Sequence, residues 1–101
     1  MERKQNTDRN GNNWSEDIKQ AVWNKGKEIG TRNKDIYRAD KCGHLILFTE
    51  HGNRTSNLGW EIDHVIPVAH DGSDDLTNLQ PLYWENNVDK SDKLNWTCPV
   101  Q

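Results

Sequence analysis

The apolar residues of this 101-residue chain are few and fall in short clusters between turn formers: Leu45–Phe48, Trp60–Ile66 and Leu79–Tyr83, with a sparser stripe at Ile18, Ala21 and Val22. Such clusters cannot build two cores. At this length folding buries only about 60 to 70% of the accessible surface, so one domain is the limit. Counting glycine, about 39% of the residues are apolar, below the roughly 45 to 50% of ordinary globular domains. Five tryptophans partly compensate, because each aromatic side chain can bury about 150 Å² or more. With a mean hydropathy of −1.10, part of the chain is expected to stay unfolded.

Several classes are excluded. No window approaches the roughly 18 consecutive apolar residues of a membrane span, and Met1 to Gly11 holds no apolar leader segment. The expected location is therefore the cytosol, with no membrane partner. Cys42 and Cys98 are far apart and form no CxxC pair. They support neither a disulfide framework nor a four-cysteine zinc site; a single disulfide between them stays open, without support in the sequence. A net charge of −3 and a pI near 5.7 argue against a strongly basic nucleic-acid-binding domain. The charge is bipolar, however. Lys19 to Lys41 holds seven basic and three acidic residues, a net +4, whereas Trp60 to the end holds two basic and eight acidic, a net −6. Such a chain can hold a polyanion with one half and a cation with the other.

Residues 1–13 carry one apolar residue, Met1, and read as a disordered tail; residues 14–101 read as the domain. Ser15 is an N-cap with Glu16 and Asp17 behind it, and the apolar stripe predicts a helix from about 16 to 26. A turn over Arg38–Gly43 followed by Leu45–Phe48 predicts a hairpin. Residues 50–59 are dominated by turn formers and predict a loop. Trp60–Ile66 reads as a strand that Pro67 stops, Leu79–Tyr83 as a second apolar segment, and Trp84 to about Lys93 as a helix.

The chemistry concentrates between Trp60 and Lys93. Asp63 and His64 are followed after 14 positions by Asn78, and after 9 more by Asn87. Hydrolysis of a phosphodiester needs a base for the attacking water and positive charge at the scissile phosphate. An Asp beside a His supplies a ligand and a base. Neighbours on a regular strand point to opposite faces, so both can serve one site only where the strand ends or bends. Asn87, in the first turn of the following helix, offers an amide oxygen, a hard ligand suited to Mg²⁺ or Mn²⁺.

The segments Asp63–Pro67, Gly72–Leu82 and Glu85–Ser91 together resemble the HNH endonuclease family, whose fold is a ββα-metal (His-Me finger) unit. The resemblance implies an α+β fold built on that unit, preceded here by a helix and a β-hairpin. It further implies a DNA endonuclease that uses one divalent cation and leaves 5′-phosphate and 3′-hydroxyl ends, with double-stranded DNA as the partner. On this resemblance His64 is the general base, Asp63 and Asn87 are the metal ligands, and Asn78 bonds across the loop to hold His64 in orientation. Lys90 is a phosphate contact; of the upstream basic stretch, Arg38 and Lys41 are the candidates for the same role. Many relatives carry two CxxC pairs that bind structural zinc, whereas here the equivalent stretch reads Tyr83-Trp84-Glu85-Asn86. Structural zinc is not expected, and Trp60, Tyr83, Trp84 and Trp96 are expected to supply the packing instead. His44, His51 and His70 fall in turn-rich contexts and read as solvent-exposed. Two rival functions fit the same residues: a non-catalytic nucleic-acid-binding accessory module that keeps the fold, and a nuclease toxin held by an immunity partner. A chain this small reads few bases alone, so specificity calls for a homodimer or a larger DNA-processing assembly.

Overall fold

The computed structural model describes residues 3–100 and is a small α+β protein with two helices and two antiparallel two-stranded sheets. Helix α1 spans Glu16–Trp23. Its N-cap Ser15 accepts from the Ile18 amide, and Val22 and Trp23 are buried. The helix stops three residues short of the expected end because the chain beyond it is needed elsewhere. Lys27 exchanges two backbone hydrogen bonds with Ala39, 2.8 and 2.9 Å, so the backbone must already be extended there.

Strands β1 (Tyr37–Ala39) and β2 (Leu45–Leu47) form the expected hairpin. Its turn is organised by Asp40. One carboxylate oxygen accepts from the Cys42 and His44 amides, and the other from the Tyr83 amide and the Asn86 side chain, both at 3.0 Å. Asp40 is fully buried. A buried carboxylate with four donors is well compensated, and this one ties the hairpin to the segment Tyr83–Asn86.

Strands β3 (Trp60–His64) and β4 (Leu79–Tyr83) pair antiparallel, with Asp63 opposite Gln80 and His64 opposite Leu79. Helix α2 (Trp84–Lys90) follows at once. The β3–β4 connection folds tightly back on itself. A Cβ on Gly72 would lie 1.7 Å from the Ile66 carbonyl oxygen, so only glycine fits.

The core is Val22, Trp23, Ile46, Trp60, Ile62, Leu79 and Tyr83. Trp23 and Trp60 meet at 5.2 Å between ring centroids, and each spends its indole N–H on a backbone carbonyl, of Lys34 and Phe48 respectively. Trp60, Tyr83 and Trp84 pack as expected. Trp96 does not join them; its N–H donates to Asp89 at the surface.

Three expectations need revision. Cys42 and Cys98 form a disulfide, because the C-terminal segment returns past the hairpin turn and brings their Cα atoms to 5.5 Å. Of the tail expected at 1–13, Met1 and Glu2 lie outside the described residues, but residues 3–13 are fastened along the domain. Asn6 accepts from the Ile62 amide at 2.9 Å and donates to His51, Thr7 is buried, and the Arg9 amide donates to Asp74. His44 and His51 are half-buried, His44 stacked on Tyr83 at 3.5 Å. Among the described residues no helix is long and apolar enough to cross a membrane.

Candidate functional site

An open cleft of about 620 Å³ is walled by the end of β3, the outer face of α2, the loop at Arg54 and the N-terminal segment. Asp63, His64 and Asn87 all line it. Asp63 and His64 are the last two residues of β3; the backbone pairing runs one step further, the Val65 amide donating to the Asn78 carbonyl, yet both side chains border the cleft. Two neighbours on the strand thus serve one cavity.

Asp63 is 5% exposed. One carboxylate oxygen accepts from Gln80 at 2.9 Å, and the other faces the Lys90 ammonium at 3.2 Å. Burial raises its pKa, and the Gln80 hydrogen bond and the Lys90 charge only partly oppose that rise. Lys90 is itself buried and also donates to the His64 carbonyl at 2.9 Å. It is therefore a buried partner of Asp63 rather than the surface phosphate contact expected of it.

His64 is 4% exposed, packed at a tilt against Trp14 with ring centroids 5.6 Å apart. Its Nε2 lies 2.7 Å from Asp74 Oδ1. Asn78 does not touch the imidazole. Its Oδ1 accepts from the Ile66 amide, and its Nδ2 donates to the carbonyls of Ile66 and Ser73, so it cross-braces the loop that carries Asp74.

Asn87 donates Nδ2 to Glu61 Oε1 at 2.8 Å. Glu61 is 1% exposed and receives a two-pronged ion pair from Arg54, Nε and Nη2 both at 2.8 Å. The pair raises the Arg54 pKa, so Arg54 brings a permanent positive charge to the cleft wall. Fixing the Asn87 amide by its nitrogen leaves its carbonyl oxygen without a donor among the described residues. Asp63 and Asn87 thus bring oxygen donors of the hard kind to one cleft, both Asp63 oxygens being engaged by Gln80 and Lys90. Among the described residues, no three His, Cys, Asp or Glu side chains converge as a metal site.

A family model for HNH endonuclease matches residues 41–93, just over half of the chain. The chain belongs to the HNH endonuclease family. No curated protein and no solved structure shows significant similarity to it.

Two basic residues expected at the nucleic acid stand apart from the HNH cleft. Arg38 is 6% exposed, and its guanidinium donates to the carbonyls of Lys34, Asn24 and Gly26, so it is spent on the backbone. Lys41 is exposed but lines a second, smaller cleft with Lys25 and Lys27. His70 is exposed, and His51 does not line the HNH cleft. Conversely, Arg54, Glu61, Gln80 and Asp74 are site neighbours that the motif reading missed. Glu61 had a visible signal: it shares a strand face with Asp63, and two carboxylates on one buried face require cationic or amide partners.

Proposed function

We propose that this HNH chain is a divalent-metal-dependent endonuclease that hydrolyses phosphodiester bonds of double-stranded DNA, with His64 as the general base. The observation that carries the reading is that Asp63, His64 and Asn87, from β3 and α2, line one cleft. The β3–β4–α2 succession is the ββα-metal unit of the reading. The Asp63 carboxylate and the Asn87 carbonyl would hold the cation, which when bound supplies positive charge against the scissile phosphate. His64 takes the proton of the attacking water. Arg54, held by Glu61, presents charge to a phosphate oxygen in the same cleft, and the ion pair keeps it from folding away.

Purified protein with Mg²⁺ or Mn²⁺ is expected to nick plasmid DNA, to stop on chelation, and to lose cleavage in His64→Ala with the fold retained. Full activity in that variant overturns the assignment. One observation favours a non-catalytic DNA-binding module: the Lys90 ammonium already occupies one Asp63 oxygen, where a cation would sit. That reading predicts DNA retention with no metal-dependent cleavage in the same assay.

A further inference from the structure

The neutral imidazole of His64 carries one N–H and one lone pair, and its neighbours decide which nitrogen has which. Asp74 Oδ1 lies 2.7 Å from Nε2. An ionised carboxylate only accepts, so the proton sits on Nε2 and the lone pair on Nδ1. The ring has little freedom to choose otherwise, being 4% exposed and packed on Trp14. Asp74 is held in turn. The Arg9 main-chain N–H reaches its two oxygens at 3.1 and 3.3 Å, and Asn78 donates at 2.8 Å to the carbonyl of the preceding residue, Ser73.

We propose that Asp74 is the positioning residue of His64, committing Nδ1 to receive the proton of the attacking water, with the N-terminal segment anchoring Asp74 through Arg9. The proposal rests on the nuclease reading for its step. In that step the water O–H bond breaks and its proton goes to Nδ1, while the oxygen bonds to phosphorus. The P–O3′ bond breaks, O3′ leaves with the bonding pair, and solvent protonates it. The Nε2 proton stays between ring and carboxylate, and Asp74 faces the imidazolium that results. His64 returns the extra proton to solvent. Asn78 then acts on the base through Ser73 and Asp74 without touching it.

The test uses the full chain and three variants, Asp74→Asn, Asp74→Ala and Asp74→Glu. The His64 tautomer is read by long-range ¹H–¹⁵N NMR, in which the two ring-nitrogen shifts themselves report when the ring is neutral. Plasmid nicking is measured on the same samples. The wild-type ring is expected in the Nε2–H form. An asparagine has one oxygen for two donors, so Asp74→Asn turns its amide NH₂ toward Nε2 and moves the ring to the Nδ1–H form. In Asp74→Asn and Asp74→Ala, kcat is expected to fall about 10- to 100-fold with KM little changed, as for other orienting partners; Asp74→Glu recovers part of it. A wild-type ring in the Nδ1–H form overturns the proposal even if no variant folds. So does a kcat loss in Asp74→Asn with the tautomer unmoved. A wild-type chain that cleaves nothing overturns the nuclease reading instead, and the tautomer in wild type and Asp74→Asn alone then decides the Asp74 assignment.

Discussion

Lys90 Nζ lies 3.2 Å from Asp63 Oδ1, with both side chains about 95% buried. Removing one partner of a buried pair strands the other charge, at a cost of about 3 to 5 kcal/mol. Lys90→Met is therefore expected to lower unfolding stability by about that amount in urea titrations. Millimolar Mg²⁺ is expected to restore part of the loss in Lys90→Met and to add less to wild type, because a cation on Asp63 replaces the missing ammonium. Equal effects of Mg²⁺ on both proteins would remove Asp63 from the ligand set.

His51 gives a pH dependence. Burial, reinforced by the Lys19 charge, lowers its pKa from 6.5 to about 4, while Glu16 and Glu61 pull the other way. Between these values the unfolded chain binds the proton and the folded chain does not. Stability is therefore expected to fall as pH drops from about 6.5 to 4, and this contribution is flat above 6.5. His51→Leu removes the slope belonging to this residue, measurable by urea titration across that range.

The structural partner of His51 offers a separate test. Asn6 donates to His51 Nε2 at 3.1 Å while its oxygen accepts from the Ile62 amide at 2.9 Å. Ile62 stands opposite Pro81, and its N–H points to the open side of β3. Asn6→Ala leaves that part-buried amide unsatisfied, at a cost of about 1 to 3 kcal/mol. The expected readout is faster hydrogen exchange at Ile62, more than at the paired amides of β3.

These N-terminal contacts show what was not legible in the chain. The β3, β4 and α2 segments are visible because apolar clusters and turn formers mark them, and Asp63, His64 and Asn87 follow from motif spacing. Residues 3–13 carry no such mark. Their order comes from polar side chains meeting partners more than 40 residues away, as Asn6 meets Ile62 and Arg9 meets Asp74. Arg38 reads as a surface cation by composition, and only the folded path of Lys34, Asn24 and Gly26 supplies the carbonyls that bury it. Helix α1 is overread because helical propensity says nothing of the Lys27–Ala39 bridge.

The Cys42–Cys98 bond closes a loop across a separation of 56 residues. On loop entropy alone it contributes about 4 kcal/mol. Reduction or Cys42→Ser is expected to lower the midpoint of thermal unfolding by ten degrees or more, on the order of 4 to 8 °C per kcal/mol for a domain of this size. A bond of this kind persists in oxidising compartments and is rare in the cytosol, so thiol labelling of protein recovered from its source tests the cytosolic expectation.

That bond also divides the molecule topologically. His64, Asp74, Asn78 and Asn87 all lie on a covalent ring, whereas Arg9, which braces Asp74, lies on an open arm. A single protease cut in the exposed part of the 51–58 loop leaves two pieces that stay tethered until a reductant is added. A cut between the arm and Cys42 removes the arm's covalent link to the ring. His64 and the Asp74 that aims it thus share the covalent closure, whereas the Arg9 brace on Asp74 is, after such a cut, held by non-covalent contacts alone.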